Sequence, residues 1–227
     1  MLRGIDVSNW QSDIDLSAVL ASVDFVICKA TEGTGFVDAC CDGWVQSCIE
    51  QEVPWGFYHF AGNGDPLEEA RFFIENTVNY FGHGIPVLDW EADQSVDWVN
   101  NFVRHVHGET GIWPWIYANP WRFNQGGVES NCGRWIASYP DVIRPGLDYD
   151  PGEVPETDGL VCCWQYASDG RVPGYAGNLD VNRFFGDEAA WAAYAGLVHN
   201  EPEPSVPETG QASVLENDEF RVTVERK

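Results

Sequence analysis

The apolar residues of this chain fall into short blocks separated by polar stretches. Gly4-Ile5-Asp6-Val7 is the first, with a polar exit at Asp6, Ser8 and Asn9. Phe25–Ala30, Trp55–Phe60, Pro86–Glu91 and Trp113–Ala118 follow, each the length of a buried strand. Between them the apolar positions are compatible with helices over 15–22, 38–52, 65–81 and 95–107. Asp15 stands where the first helix needs a cap, and Asp65-Pro66 combines a capping side chain with a first-turn proline. Strands alternating with helices at intervals of roughly 25–30 residues are the pattern of a parallel sheet built from βαβ units.

After residue 118 the rhythm changes. Arg134–Tyr139, Leu160–Tyr166 and Leu179–Phe184 read as three more strands, joined by loops rich in Gly, Pro and Asp. Eight strands, of which only the first five have crossover helices, predict an α/β fold: an irregular TIM-like (β/α)5(β)3 barrel. A helix over 187–197 is placed to pack across it. The expected organisation is a catalytic domain over 1–199 and a Pro/Glu-rich linker over 200–211. Residues 212–227 are a C-terminal tail or the beginning of another module.

Charge narrows the choice of partner. Against 12 Lys and Arg stand 36 Asp and Glu, a net charge of −24. Nucleic acid and anionic membrane would both be repelled. The 11 tryptophans suit a groove for sugar rings, because aromatic faces bury apolar area while their polar edges stay available. Seven cysteines, none in a C-x-x-C pair, read as free thiols made in a reducing compartment. No apolar run is long enough for membrane insertion, and Met1-Leu2-Arg3 leads straight into the first strand without a signal peptide. Synthesis in the cytoplasm is the expectation.

A parallel barrel carries its chemistry at the C-terminal ends of its strands. Those ends bring Asp6, Lys29 with Glu32, Tyr58 with His59, Asp89 with Glu91, Tyr117, Tyr139, Gln165 and Asp180 to one rim. Lys29 with Glu32 reads as a structural ion pair, and His59 as a satisfied core residue. Asp89 and Glu91, at positions i and i+2 of one strand, are expected on one face about 6.6 Å apart. Repulsion and partial burial should separate their pKa values, leaving one protonated donor and one anion near neutral pH. Cleavage of a glycosidic bond asks for that pair.

Several stretches carry a resemblance in order and spacing over residues 3–185. They are Gly4–Gln11, Phe25–Gly33 with its Lys29-Ala30-Thr31-Glu32-Gly33, Gly56–Phe60, Asp89-Trp90-Glu91, Ile116-Tyr117, Trp135–Ala137, Trp164–Tyr166 and Asp180–Asn182. In these the chain resembles the glycoside hydrolase family 25 lysozymes. The resemblance implies a flattened barrel of five β/α units and three closing strands. It also implies cleavage of the β-1,4 bond between N-acetylmuramic acid and N-acetylglucosamine in peptidoglycan.

On that likeness Glu91 would be the general acid and Asp89 the anion that orients the substrate's own 2-acetamido group for attack. Asp6 and Asp180 would hold the field that keeps Glu91 protonated. Tyr58, Tyr117, Trp135 and Gln165 would contact sugar, and neither metal nor cofactor is required. The missing leader fits a phage endolysin released through a partner holin. A chitinase-like glycosidase is the nearest alternative, but it carries acids two and four positions before the D-x-E, where this chain has Val87 and Ile85. A non-catalytic wall-binding barrel is the other, and it usually lacks one central acid.

Overall fold

The structure is a computed structural model and describes residues 1–197. Its core is a ring of strands: β1 (Leu2–Val7), β2 (Phe25–Glu32), β4 (Trp55–Phe60), β5 (Ile85–Asp89), β6 (Trp115–Ala118), β7 (Arg134–Ala137), β8 (Val161–Gly170) and β9 (Leu179–Phe184). Each pairs in parallel with the next as far as β8. The ring closes through β9, which runs antiparallel to both β8 and β1. A short β3 (Phe36–Val37) folds back on the end of β2, outside the ring. The irregular barrel expected from the rhythm of the chain is therefore present, with one extra strand.

Helices α1 (Leu16–Leu20), α2 (Cys41–Glu50), α3 (Pro66–Thr77) and α4 (Val96–Thr110) fill the crossovers after β1, β3, β4 and β5. Their ends follow from local chemistry. Asp65 accepts hydrogen bonds from the Leu67 and Glu68 amides at the start of α3, and Ser95 accepts one from the Trp98 amide at the start of α4. Gly111, at φ 76°, closes α4 in the left-handed conformation that glycine tolerates. A one-turn α5 (Pro120–Phe123) follows β6, capped by Asn119.

Strand alternation divides the apolar residues between two cores. The larger lies between strands and helices and includes Val26, Phe57, Phe73, Leu88, Phe102 and Ile116. The smaller fills the barrel with Phe25, Ile27, Ile85, Val87, Trp115 and Phe184, and it also takes in α6 (Glu188–Ala195). Trp191 of α6 packs 4.6 Å from the Phe25 ring and 5.3 Å from Phe184, so this helix seals the lower end of the barrel. The expectation of a helix packed across the barrel is met in that form. Each inward series changes from apolar to polar as it rises, as in Ile85-Val87-Asp89, Phe25-Ile27-Lys29 and Phe184-Asn182-Asp180. An oily floor and a polar mouth are consequences of that order.

Two details depart from the sequence reading. β5 ends at Asp89, so Trp90 and Glu91 lie beyond the strand rather than within it. Asp180 reaches the rim from the start of β9, not from a C-terminal end, because that strand runs opposite to its neighbours. All seven cysteines are free, and all but Cys40 are buried. Among the described residues no helix is long and apolar enough to cross a membrane. The linker over 200–211 and the tail over 212–227 lie outside the described residues.

Candidate active site

One pocket of about 390 Å³ opens at the mouth of the barrel. Asp6, Asp89, Glu91 and Asp180 all line it, as do Tyr58, Tyr117, Trp135 and Gln165. These eight residues are thus at one place, drawn from seven strands and the turn after β5. Lys29 and Tyr139 join them, whereas Glu32 and His59 do not line the pocket. Asp6 and Asp180 face each other directly across the β1–β9 pairing.

A hydrogen-bonded net fixes the floor. Asp6 Oδ2 accepts from Gln165 Nε2 at 2.9 Å and from Asn182 Nδ2 at 2.6 Å. Gln165 Oε1 in turn accepts from the Tyr117 hydroxyl at 2.7 Å and the Tyr139 hydroxyl at 2.5 Å. The Trp135 indole donates to Asn182 Oδ1 at 2.8 Å. Gln165 and Trp135 therefore spend these polar groups on the protein, and each orients a neighbour. Asp89 is only 7% exposed, and its Oδ1 has no partner among the described residues. Such an atom carries an uncompensated desolvation cost until a ligand or water meets it.

The profile of the family described as Glycosyl hydrolases family 25 matches residues 5–175. The chain belongs to glycosyl hydrolases family 25. Lysozyme M1 of Streptomyces globisporus is 30% identical, over 86% of this chain and 71% of its own length. The autolytic lysozyme of Clostridium acetobutylicum is 27% identical over 81% of this chain, which spans 56% of that protein. Among solved structures, the bacterial lysozyme from Streptomyces coelicolor superposes with a TM-score of 0.72 at 27% identity, covering 86% of this chain and 97% of that one.

In this family 25 barrel the acids differ in their hold on a proton. Burial, with a smaller push from Glu91, raises Asp6 to about 6 against the two amides that stabilise its anion. Burial and then the Asp6 charge push Asp180 up to about 9. Asp89 is raised well above the carboxylate range by burial, with Glu91 and Asp6 adding to it. Glu91 stands in the open mouth; the surrounding walls raise it, while Arg122 and Lys29 pull it back. Burial thus favours the protonated form of Asp89 over the anion, an effect of depth that a linear D-x-E does not reveal.

Asp180→Asn tests this field. The folded chain keeps the Asp180 proton to about pH 9, whereas an ordinary aspartate releases it near 3.8. Between those values the unfolded chain binds fewer protons, so stability falls as pH rises. Asparagine removes that penalty. The variant should melt about 3–10 °C higher at pH 8 and nearly unchanged at pH 3.5. Equal shifts at both values in a thermal melt would refute the charge argument.

Some residues of the mouth carried weaker sequence signals. Lys29 pairs with Glu32 at 2.6 Å and lies 4.9 Å over the Phe60 ring. Trp10 lines the pocket at 84% exposure, on a turn fixed by the Ser8–Gln11 capping box and by Asp38, which accepts the Asn9 amide at 2.7 Å. Its free indole face suits the apolar face of a pyranose. Arg122, from α5, donates to the Glu91 carbonyl at 2.9 Å and lies 5.1 Å over the Trp90 ring. No periodicity announced that short helix. His59 is fully buried, as expected of a core residue.

Proposed function

We propose that this protein is an N-acetylmuramidase that cleaves the β-1,4 bond between N-acetylmuramic acid and N-acetylglucosamine in peptidoglycan. The observation that carries the reading is the convergence of Asp89 and Glu91 with Asp6 and Asp180 in one aromatic-walled pocket. The positions where a chitinase-like ladder would continue, Val87 and Ile85, lie in the apolar interior of the barrel. No acid descends the strand there.

Glu91, raised yet open to the mouth, protonates the leaving glycosidic oxygen as the bond to the anomeric carbon breaks. The oxygen of the substrate's 2-acetamido group attacks that carbon from the opposite face. Asp89 accepts the acetamido N–H and stabilises the positive charge as it grows. Burial favours the protonated form of Asp89, and the arriving N–H, which needs an acceptor, favours transfer of that proton to Glu91. Water then opens the cyclic intermediate, giving its proton to the Glu91 carboxylate, with retention at the anomeric carbon. Asp6, clamped by Gln165 and Asn182, stays ionised most readily of the buried three and helps hold protons on the others.

Mass spectrometry of fragments released from purified peptidoglycan, after borohydride reduction of the new ends, tests this directly. Reduced muramic acid at those ends is the expected product. Reduced glucosamine would assign the other bond, and intact glycan with retained binding would make the barrel a binding module. In a phage setting the enzyme would reach the wall through lesions made by a partner holin. Lysis of expressing cells should then require holin co-expression.

A further inference from the structure

Glu91 lies two residues beyond β5, so no strand holds it in place. Its turn is nevertheless closed on itself, because the Trp90 indole donates to the Gln94 carbonyl at 3.0 Å. Gln94 is 7% exposed although Glu91, Asp93 and Ser95 around it are open to solvent. Its amide nitrogen reaches across to the loop after β4, donating to the Ala61 carbonyl at 3.2 Å and to the Gly62 carbonyl.

That loop is gripped from its other side. The Gly62 and Gly64 amides donate to the Glu69 carboxylate at 2.7 and 2.8 Å. A Cβ at either glycine would stand only 2.8 or 2.9 Å from Glu69 Oε1, so a side chain there would push the carboxylate out of its hydrogen bonds. Glu69, on α3, is 1% exposed and takes a third hydrogen bond from His59 Nε2 at 3.1 Å. His59 Nδ1 meets the Thr31 hydroxyl at 2.8 Å. Burial lowers His59, so the ring is neutral, donating from Nε2 and accepting at Nδ1. Burial alone would raise Glu69, but His59 and the two glycine amides bring it below the usual range, so it remains an anion. Hydroxyl, imidazole and carboxylate thus stand in line where no substrate can reach them.

We propose that Gln94 is a positioning residue for Glu91, and that Glu69 with His59 is the fixed point it pulls against. The inference rests on the reading of Glu91 as the general acid. Proton donation to a leaving oxygen depends on placement: an error of about 1 Å in a reacting group can cost roughly 10²-fold in rate. The Glu91 turn has a main-chain tie to β6, the Arg122 contact and this brace; Gln94 ties it to the wall across the pocket's β4 side.

The test uses the full chain with Gln94→Leu, of similar volume but without the amide, and Glu69→Gln. Expected for Gln94→Leu are an unchanged KM on solubilised glycan chains, a kcat lowered about 10- to 100-fold, and a displaced alkaline limb of the kcat–pH profile. Hydrogen exchange at amides 91–95 should quicken in both variants. Should Glu69→Gln fail to fold, Gln94→Leu and Gln94→Met decide the matter. Wild-type kcat and pH profile in a folded Gln94 variant would overturn the proposal, as would unchanged exchange at 91–95. A wild-type enzyme that releases no reduced ends would instead overturn the muramidase reading, and the exchange result would still judge the brace.

Discussion

Glu91→Gln is expected to lower kcat on peptidoglycan by about 10³-fold or more while leaving thermal stability and wall binding unchanged. The substitution keeps size and shape and removes only the proton to be transferred. Among the described residues no hydrogen bond is lost with the charge, because Arg122 grips the main-chain carbonyl of this residue and not its carboxylate. The lost attraction to Arg122 and Lys29 is offset by relief of repulsion with Asp6 and Asp89. The side chain is exposed in the mouth, so no buried partner is orphaned. Rates of release of reducing ends, read beside a melting curve, check it. Turnover within threefold of wild type would remove Glu91 from the acid role.

Asp89→Asn should cost about 10²- to 10³-fold in kcat, by a different route. An asparagine can offer its carbonyl to the acetamido N–H, but it can never become an anion beside a growing positive charge. Substrate should still bind, so KM should change much less than kcat. Stability should move the other way. Asp89 is buried with one oxygen unpartnered, and burial raises its pKa, so ionisation opposes folding as pH rises above the ordinary aspartate value. The variant is expected to be more stable than wild type at pH 8 and less distinguishable in acid. A gain in neither stability nor KM-to-kcat separation would count against Asp89 as an electrostatic partner.

The strands and the acids at their ends were legible because alternation and burial are written locally. A six-residue apolar run that ends in a carboxylate needs no partner to be recognised. Long-range facts were not legible in that way. The direction of β9 depends on which strands flank it, and nothing within Leu179–Phe184 states that. Gln165 read as a sugar contact because it sits at a strand end, yet its amide serves Asp6, Tyr117 and Tyr139 from distant parts of the chain. Glu69 carries no local signal in the sequence, and its partners at Gly62, Gly64 and His59 emerge only when β4 and α3 pack together. The proton balance of Asp89 and Glu91 follows from depth, which spacing alone does not encode.

Closure of the barrel between β1 and β9 has a consequence for the order of events as the chain folds. The amide of Asn182 that clamps Asp6 comes 176 residues after it in the chain. Contacts of such sequence separation form late, since the loop they close must be ordered first. A chain that has extended only through β8 has the D-x-E turn but neither Asp180 nor the Trp191 plug beneath it. A chain made only as far as β8 thus holds its other acids without the clamp on Asp6, and the site waits for β9 to be completed.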